Sequence, residues 1–218
     1  MKLLTTHLRT LLALVALGLS INAVASTEDR VKEWNFRVLL DGKEIGHHNF
    51  TLFDTGMERR ITSEANFDAR VLLLFRFQYQ HSNAEIWRDD CLVEINSETN
   101  TNGKTVSLQG YRDEDAFVVA TDEEKQRLPQ CVKSFAYWNA EILNEARLIN
   151  QQTGRYQEVN IAPQGRETVT IRGVEVAAQR YRLTGEKIDL DIWYSESGEW
   201  LQLESKVKGG RTISYQLT

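Results

Sequence analysis

Prolines and cysteines number only two each in 218 residues. So little proline, beside 41% hydrophobic residues, excludes a disordered or proline-rich chain. So few cysteines exclude a disulfide-dense scaffold. Basic charge is scarce too: 26 Lys and Arg stand against 31 Asp and Glu, a formal net charge of −5. That balance opposes an electrostatic grip on nucleic acid. No apolar run reaches the ~20 residues of a membrane-spanning helix. The sequence also lacks G-x-S-x-G, a Walker loop, H-E-x-x-H and a dinucleotide fingerprint. Asp41-Gly42 and Asn102-Gly103 read as turns, not phosphate cradles.

The N-terminus carries a different signal. Lys2 and Arg9 precede an apolar run from Leu11 to Leu19, and Ala23-Val24-Ala25 is a small-x-small site before Ser26. This is the pattern of a secretory signal peptide over residues 1–25. Its removal takes away two bases and no acids, moving the formal charge from −5 to −7. Residues 26–218 then form a single domain, large enough to bury about 70% of its unfolded surface. The expected compartment is the periplasm, or the medium if the cell lacks an outer membrane. No cysteine follows the apolar run, so no lipid anchor is expected. Cys91 and Cys131 read as a disulfide in an exported chain.

Most of this domain alternates with period two, as strands do. Trp34, Phe36, Val38 and Leu40 alternate before the Asp41-Gly42 hairpin turn, and Ile45 to Phe53 returns. Arg60 to Phe67, Phe75 to Gln80, Ala84 to Arg88, Cys91 to Thr99, Lys104 to Tyr111 and Ala116 to Ala120 continue the series. Ala69 to Phe75 breaks the alternation and reads equally as a helical turn or a buried strand. Thr121 to Gln130 is polar and reads as a loop. Asn139 is a good N-cap for a short helix over Ala140 to Arg147. Six further strands are expected between Arg155 and Leu217, with Pro163-Gln164-Gly165 separating Arg155 to Ile161 from Glu167 to Arg172. Turns at about 8–12 residue spacing indicate an antiparallel barrel or sandwich. The pattern acid-Ile-Trp occurs twice before a turn, as Glu85-Ile86-Trp87 and Asp191-Ile192-Trp193. It marks either two equivalent hairpins or a coincidence.

Several stretches together resemble an uncharacterised bacterial domain-of-unknown-function family of exported β-rich proteins. They are Leu40-Asp41-Gly42-Lys43-Glu44-Ile45-Gly46, Glu85-Ile86-Trp87 with Ser97-Glu98-Thr99-Asn100, Phe135-Ala136-Tyr137-Trp138-Asn139, Asn150-Gln151-Gln152-Thr153-Gly154 and Asp191-Ile192-Trp193-Tyr194. The resemblance runs from about residue 34 to the C-terminus. It departs at Ala140, where proline is expected, and alanine still suits a first helical turn. By fold analogy the layout is similar to the lipoprotein-carrier fold, a curved antiparallel sheet around a helix. The resemblance brings no catalytic residues.

The fold expected is therefore all-β with one or two short helices: a curved antiparallel sheet or half-barrel of about ten strands packed on a short helix. A closed barrel and a two-sheet sandwich are the alternatives. His47 and His48 are adjacent on a strand and so point to opposite faces, which opposes joint metal binding. His81 has no fixed relation to them in the sequence. Glu85, Asp89, Asp90 and Glu94 read as a solvated turn rather than an acid–base pair. Five tryptophans are spread along the chain. Trp87, Tyr137, Trp138 and Trp193 are the expected walls of an apolar pocket. No metal and no cofactor are expected. The leading function is non-enzymatic: binding or carrying an apolar or amphipathic molecule such as a lipid. The rivals are an envelope interaction module with a filled core, partnered by another protein, and a hydrolase needing His47, His48 or His81 to face Glu85 or Asp191.

Overall fold

The computed structural model describes residues 29–71, 75–207 and 209–218. The expected signal segment lies outside these residues, as does the centre of the Ala69 to Phe75 run. On either side of that centre the chain is extended.

The chain walks outward from the middle of one sheet. Strand β1 (Arg30–Leu40) is followed by β2 (Lys43–Asp54), β3 (Arg59–Val71), β4 (Phe75–Arg88), β5 (Cys91–Thr101), β6 (Lys104–Arg112), β7 (Ala116–Thr121) and β8 (Lys125–Pro129). Each pairs antiparallel with its predecessor. The chain then crosses to the far edge and walks back through β9 (Arg147–Ile149), β10 (Tyr156–Ile171), β11 (Val174–Gly185), β12 (Ile188–Ser195), β13 (Trp200–Val207) and β14 (Arg211–Leu217). Strand β14 pairs with β1, so the two ends of the domain meet at the sheet centre. The result is one antiparallel sheet of 14 described strands, with β8 and β9 as its edges. It is a curved half-barrel, not closed.

Local chemistry explains the hairpins. Asp41-Gly42, Asn102-Gly103 and Arg172-Gly173 all have positive φ at both residues. That backbone twist matches the twist of the flanking strands, and Gly adopts it without steric penalty. Asp89-Asp90 makes the same turn without glycine, using the tolerance of Asp for this region.

Two expectations need correction. Thr121 to Gln130 is not all loop, because Lys125–Pro129 forms β8. Its polarity is that of an edge strand, solvated and paired on one side to β7. The segment from Pro163 to Gly165 does not separate two strands. It is a bulge inside β10, where the register to β11 shifts.

The crossover from residue 130 to 146 lies in the concavity of the sheet. Its one regular element is a 3-10 helix, Ala140–Asn144, shorter than expected. Asn139 caps it, accepting from the Glu141 amide at 3.2 Å. The Cys91–Cys131 disulfide ties the start of the crossover to β5. Next to it the Leu92 amide donates to the Val132 carbonyl at 2.9 Å. Farther along, the Tyr194 hydroxyl donates to the Tyr137 carbonyl at 2.7 Å.

The main core forms where this crossover fills the sheet. Trp34, Trp87, Trp200, Phe36 and Phe117 are fully buried there with Ile142, Leu148 and Ile149. A smaller core around Val38, Phe67 and Tyr79 lies toward the opposite end of the concave face. A third cluster, Val169, Ala178, Trp193 and Leu201, packs separately from both.

Candidate functional site

Hydrogen-bond register places side chains of β1 to β5 in rows across the concave face, because residues of one parity share a face. In one row Phe36 lies opposite His48, His48 opposite Ala65, Ala65 opposite His81 and His81 opposite Thr99. The next row toward the crossover reads Trp34, Phe50, Ser63, Asn83 and Ser97. The row on the other side contains Phe67 and Tyr79. Polar residues thus occupy the middle of an otherwise apolar inner face. Ser63, His81, Asn83, Ser97 and Thr99 are all buried.

Between these rows and the facing strands β12 to β14 is a cavity of about 380 Å³. His48, Ser63 and His81 line one part of its wall, and Phe67, Phe77 and Tyr79 another. Leu203, Ile213 and Tyr215 close the opposite side. Phe135 and Tyr137 of the crossover and the segment Asn150 to Gln152 complete it. Lys187 and Gln152 are exposed at its rim.

The two imidazoles meet across Ala65, whose small side chain leaves room between them. Their ring centroids are 6.3 Å apart. His48 Nδ1 lies 3.3 Å from the Tyr215 hydroxyl, and its Nε2 is buried without a partner. His81 Nδ1 is hydrogen-bonded with the Thr99 hydroxyl at 2.9 Å. Burial holds both rings neutral: the His81 pKa falls to about 4, and that of His48 falls well below the ordinary value, helped by repulsion from His81 and His47. The aromatic part of the wall is layered. Phe67 stacks on Tyr79 at 5.1 Å and His48 on Phe50 at 4.1 Å.

Glu85 is the buried carboxyl nearest this wall, one row toward the crossover. Four side chains donate to it: Trp87 at 2.8 Å, Ser134 at 2.9 Å, Gln151 at 3.1 Å and Asn83 at 3.2 Å. Burial raises its pKa against these four donors. Ser134 belongs to the crossover and Gln151 to the segment after β9, so Glu85 fastens the plug to β4. The Ser97 hydroxyl adds a bond to the Gln151 carbonyl at 2.5 Å. Gly154 lets this segment lie against the sheet: its φ is +72°, and a Cβ there would come within 2.9 Å of Thr121.

The four expected pocket walls are not brought together. Tyr137 lines the cavity. Trp87 is fully buried in the main core, and Trp138 packs edge-on against it at 5.5 Å. Trp193 belongs to the third cluster, under Arg180 at 5.3 Å, and its indole N–H donates to Glu167. The sequence turns one of His47 and His48 toward the wall without choosing between them, allows His81 to meet it without placing the two together, and gives no sign of Ser63. Parity along β4 carried part of the signal, since His81 follows Phe77 and Tyr79 on one face. The pairing of His48 with His81 through Ala65 depends on two hairpin registers.

The arrangement needed by a hydrolase, a histidine facing Glu85 or Asp191, does not occur among the described residues. Glu85 is engaged by the four donors above, and Asp191 by Arg180 and Arg182. No group of three or more metal-ligating side chains is found among the described residues. A larger groove of about 710 Å³ lies beside the open edges, between Glu124 and Gln126 on one side and Arg147, Tyr156 and Glu158 on the other. It is an open polar seam, and Arg147 and Glu158 pair with each other along one of its walls.

Residues 36–218 match a family described as "Domain of unknown function (DUF6134)". This agrees with the resemblance to an uncharacterised β-rich family. No curated protein matches the chain. Among solved structures, the crystal structure of a beta-barrel-like protein of domain of unknown function DUF1849 from Brucella abortus is similar. It aligns with a TM-score of 0.63 at 8% identity, over 85% of this chain and 94% of that one. At that identity the likeness is one of fold.

Proposed function

We propose, for a chain that belongs to the domain-of-unknown-function family DUF6134, that it binds or carries an apolar or amphipathic small molecule in the concave cavity and does no chemistry on it. The cavity carries this reading. Its volume of about 380 Å³ falls within the ~300–1,000 Å³ of ordinary small-molecule sites. Its lining joins aromatic rings to a few polar groups, as such sites do. An aliphatic chain placed there gains about 0.8 kcal/mol per methylene removed from water. A lipid is the ligand class that fits this wall best.

The signal-like N-terminus supports export, and the acidic domain would then work in the periplasm, or outside a cell that has no outer membrane. The cavity favours a ligand carrier over an interaction module, which needs a filled core. The test is native mass spectrometry of the protein recovered from its exported fraction, with solvent extraction of bound material. A stoichiometric apolar mass is expected. A bare protein that also fails to take up an added fluorescent fatty-chain probe would sink the proposal.

A further inference from the structure

The cavity has a polar pole and an apolar pole. Ser63 and the two imidazoles lie on the rows next to the crossover, while Phe67, Phe77 and Tyr79 lie beyond them toward the other end of β3 and β4. Taking the ligand-binding reading as its basis, we infer that the cavity selects ligands with an uncharged hydrogen-bonding head, a hydroxyl, ester or amide, and seats that head at His48, Ser63 and His81.

Three observations carry this. First, the pole holds hydrogen-bonding capacity and no fixed charge. The nearby carboxyl, Glu85, has its oxygens taken up by four donors. The lysine of the cavity lining, Lys187, is exposed at the rim. Second, the pole is under-satisfied. His48, a wall residue, has its Nε2 buried without a partner. A buried polar atom without a partner is costly, and a small rotation of the His48 ring toward the cavity lets a ligand group recover that cost. A hydroxyl or amide both donates and accepts, so it suits His48 whichever ring nitrogen holds the proton. Third, the pole cannot easily answer a charge. Tyr215 from β14 and Tyr79 from β4 face the imidazoles and Tyr137 from the crossover shares the cavity wall, all of which burial holds in the neutral form, while His47 beside His48 points to solvent. A carboxylate or ammonium placed among neutral groups loses its hydration without gaining an opposite charge.

The experiment uses the chain from Ser26 and three probes with the same twelve-carbon tail: dodecanol, dodecanoate and dodecyltrimethylammonium. Each displaces a fluorescent fatty-chain probe at neutral pH, below its aggregation concentration. Dodecanol is expected to bind at least tenfold tighter than either ion. His81→Phe and Ser63→Ala, checked for folding by circular dichroism, should cut that preference to threefold or less. Equal affinities for all three heads overturn the inference while leaving the cavity reading intact. Preference for dodecanoate, lost in Lys187→Gln, places the head at the rim and overturns it too. Failure of all three tails to bind removes the ligand reading and the inference together.

Discussion

Glu85-Ile86-Trp87 in β4 and Asp191-Ile192-Trp193 in β12 share one residue pattern and face opposite ways. In β4 the acid and the indole point inward: Trp87 is in the main core and Glu85 holds the crossover. In β12 it is Ile192 that enters the main core, with Leu190 and Tyr194, while Trp193 packs in a separate cluster. The parity of each strand explains this. Leu190, Ile192 and Tyr194 form the apolar set of β12, so Asp191 and Trp193 take the other face. In β4 the inward set runs Phe77, Tyr79, His81, Asn83, Glu85 and Trp87. The two hairpins are therefore not equivalent. A repeated tripeptide carries no positional meaning until its strand's parity is fixed.

The comparison can be broken by mutation. Trp87→Ala should destabilise the domain by about 3–5 kcal/mol, the usual cost of emptying a large core site. Trp193→Ala should cost clearly less, about 1–2 kcal/mol, because its cluster is small. Urea unfolding of both variants decides the matter, and equal losses would mean that the third cluster is as important as the main core.

Removing the disulfide comes next. Cys91 and Cys131 are 40 residues apart, and a loop of that size contributes on the order of 4 kcal/mol in the chain-entropy model. Strain and residual structure reduce that figure in practice, so a loss of about 2–4 kcal/mol is expected for the double Cys→Ala variant. Its binding of an apolar probe should weaken as well, since the bridge ties down the crossover that closes the cavity. Unchanged binding would detach the plug from the site.

The two acids should differ in the same sense as the two indoles. Glu85→Gln replaces one acceptor oxygen by a donor facing donors, and should cost about 1–3 kcal/mol. Asp191→Asn weakens bonds to Arg180 and Arg182, both partly exposed, and should cost about 1 kcal/mol or less. The larger loss falling on Asp191 would reverse the comparison.

The pH dependence separates the acid from the imidazoles, because the two have opposite signs. Glu85 has a folded pKa raised above its ordinary 4.5. Its share of stability is present below pH 4.5 and is lost as pH rises through the folded value. His81 is depressed from 6.5 to about 4. Its share is present above pH 6.5 and is lost as pH falls through about 4, a window worth up to about 3 kcal/mol. The wild-type denaturation midpoint, measured relative to that of His81→Gln, should therefore fall between pH 7 and pH 4. An unchanged difference would place the titration elsewhere.

Much of the fold was legible because a strand and its turn are local. Alternation at Trp34 to Leu40 and glycine after Asp41 or Asn102 need no distant partner to be read. Asn139 declared a helix start in the same way. The polar β8 was hidden, since an edge strand and a loop share a composition. The candidate site was legible only in Tyr137. Aromatic content pointed to tryptophans, yet large indoles best fill the plugged end, where Trp87 and Trp138 pack on each other. The cavity wall instead carries small and polar residues, Ala65 and Ser63 beside two histidines, which resemble ordinary strand residues in one dimension.

By itself, then, the sequence determined the all-β class, the hairpin turns, the disulfide pair and which residues of each strand share a face. These follow from backbone geometry and two-residue periodicity. Tertiary structure decided which of the two faces is inside, that β14 closes on β1, that the crossover plugs one end of the concavity, and that His48 meets His81 across Ala65. Those outcomes depend on the register of strands far apart in the chain, where a shift of one residue exchanges inside for outside.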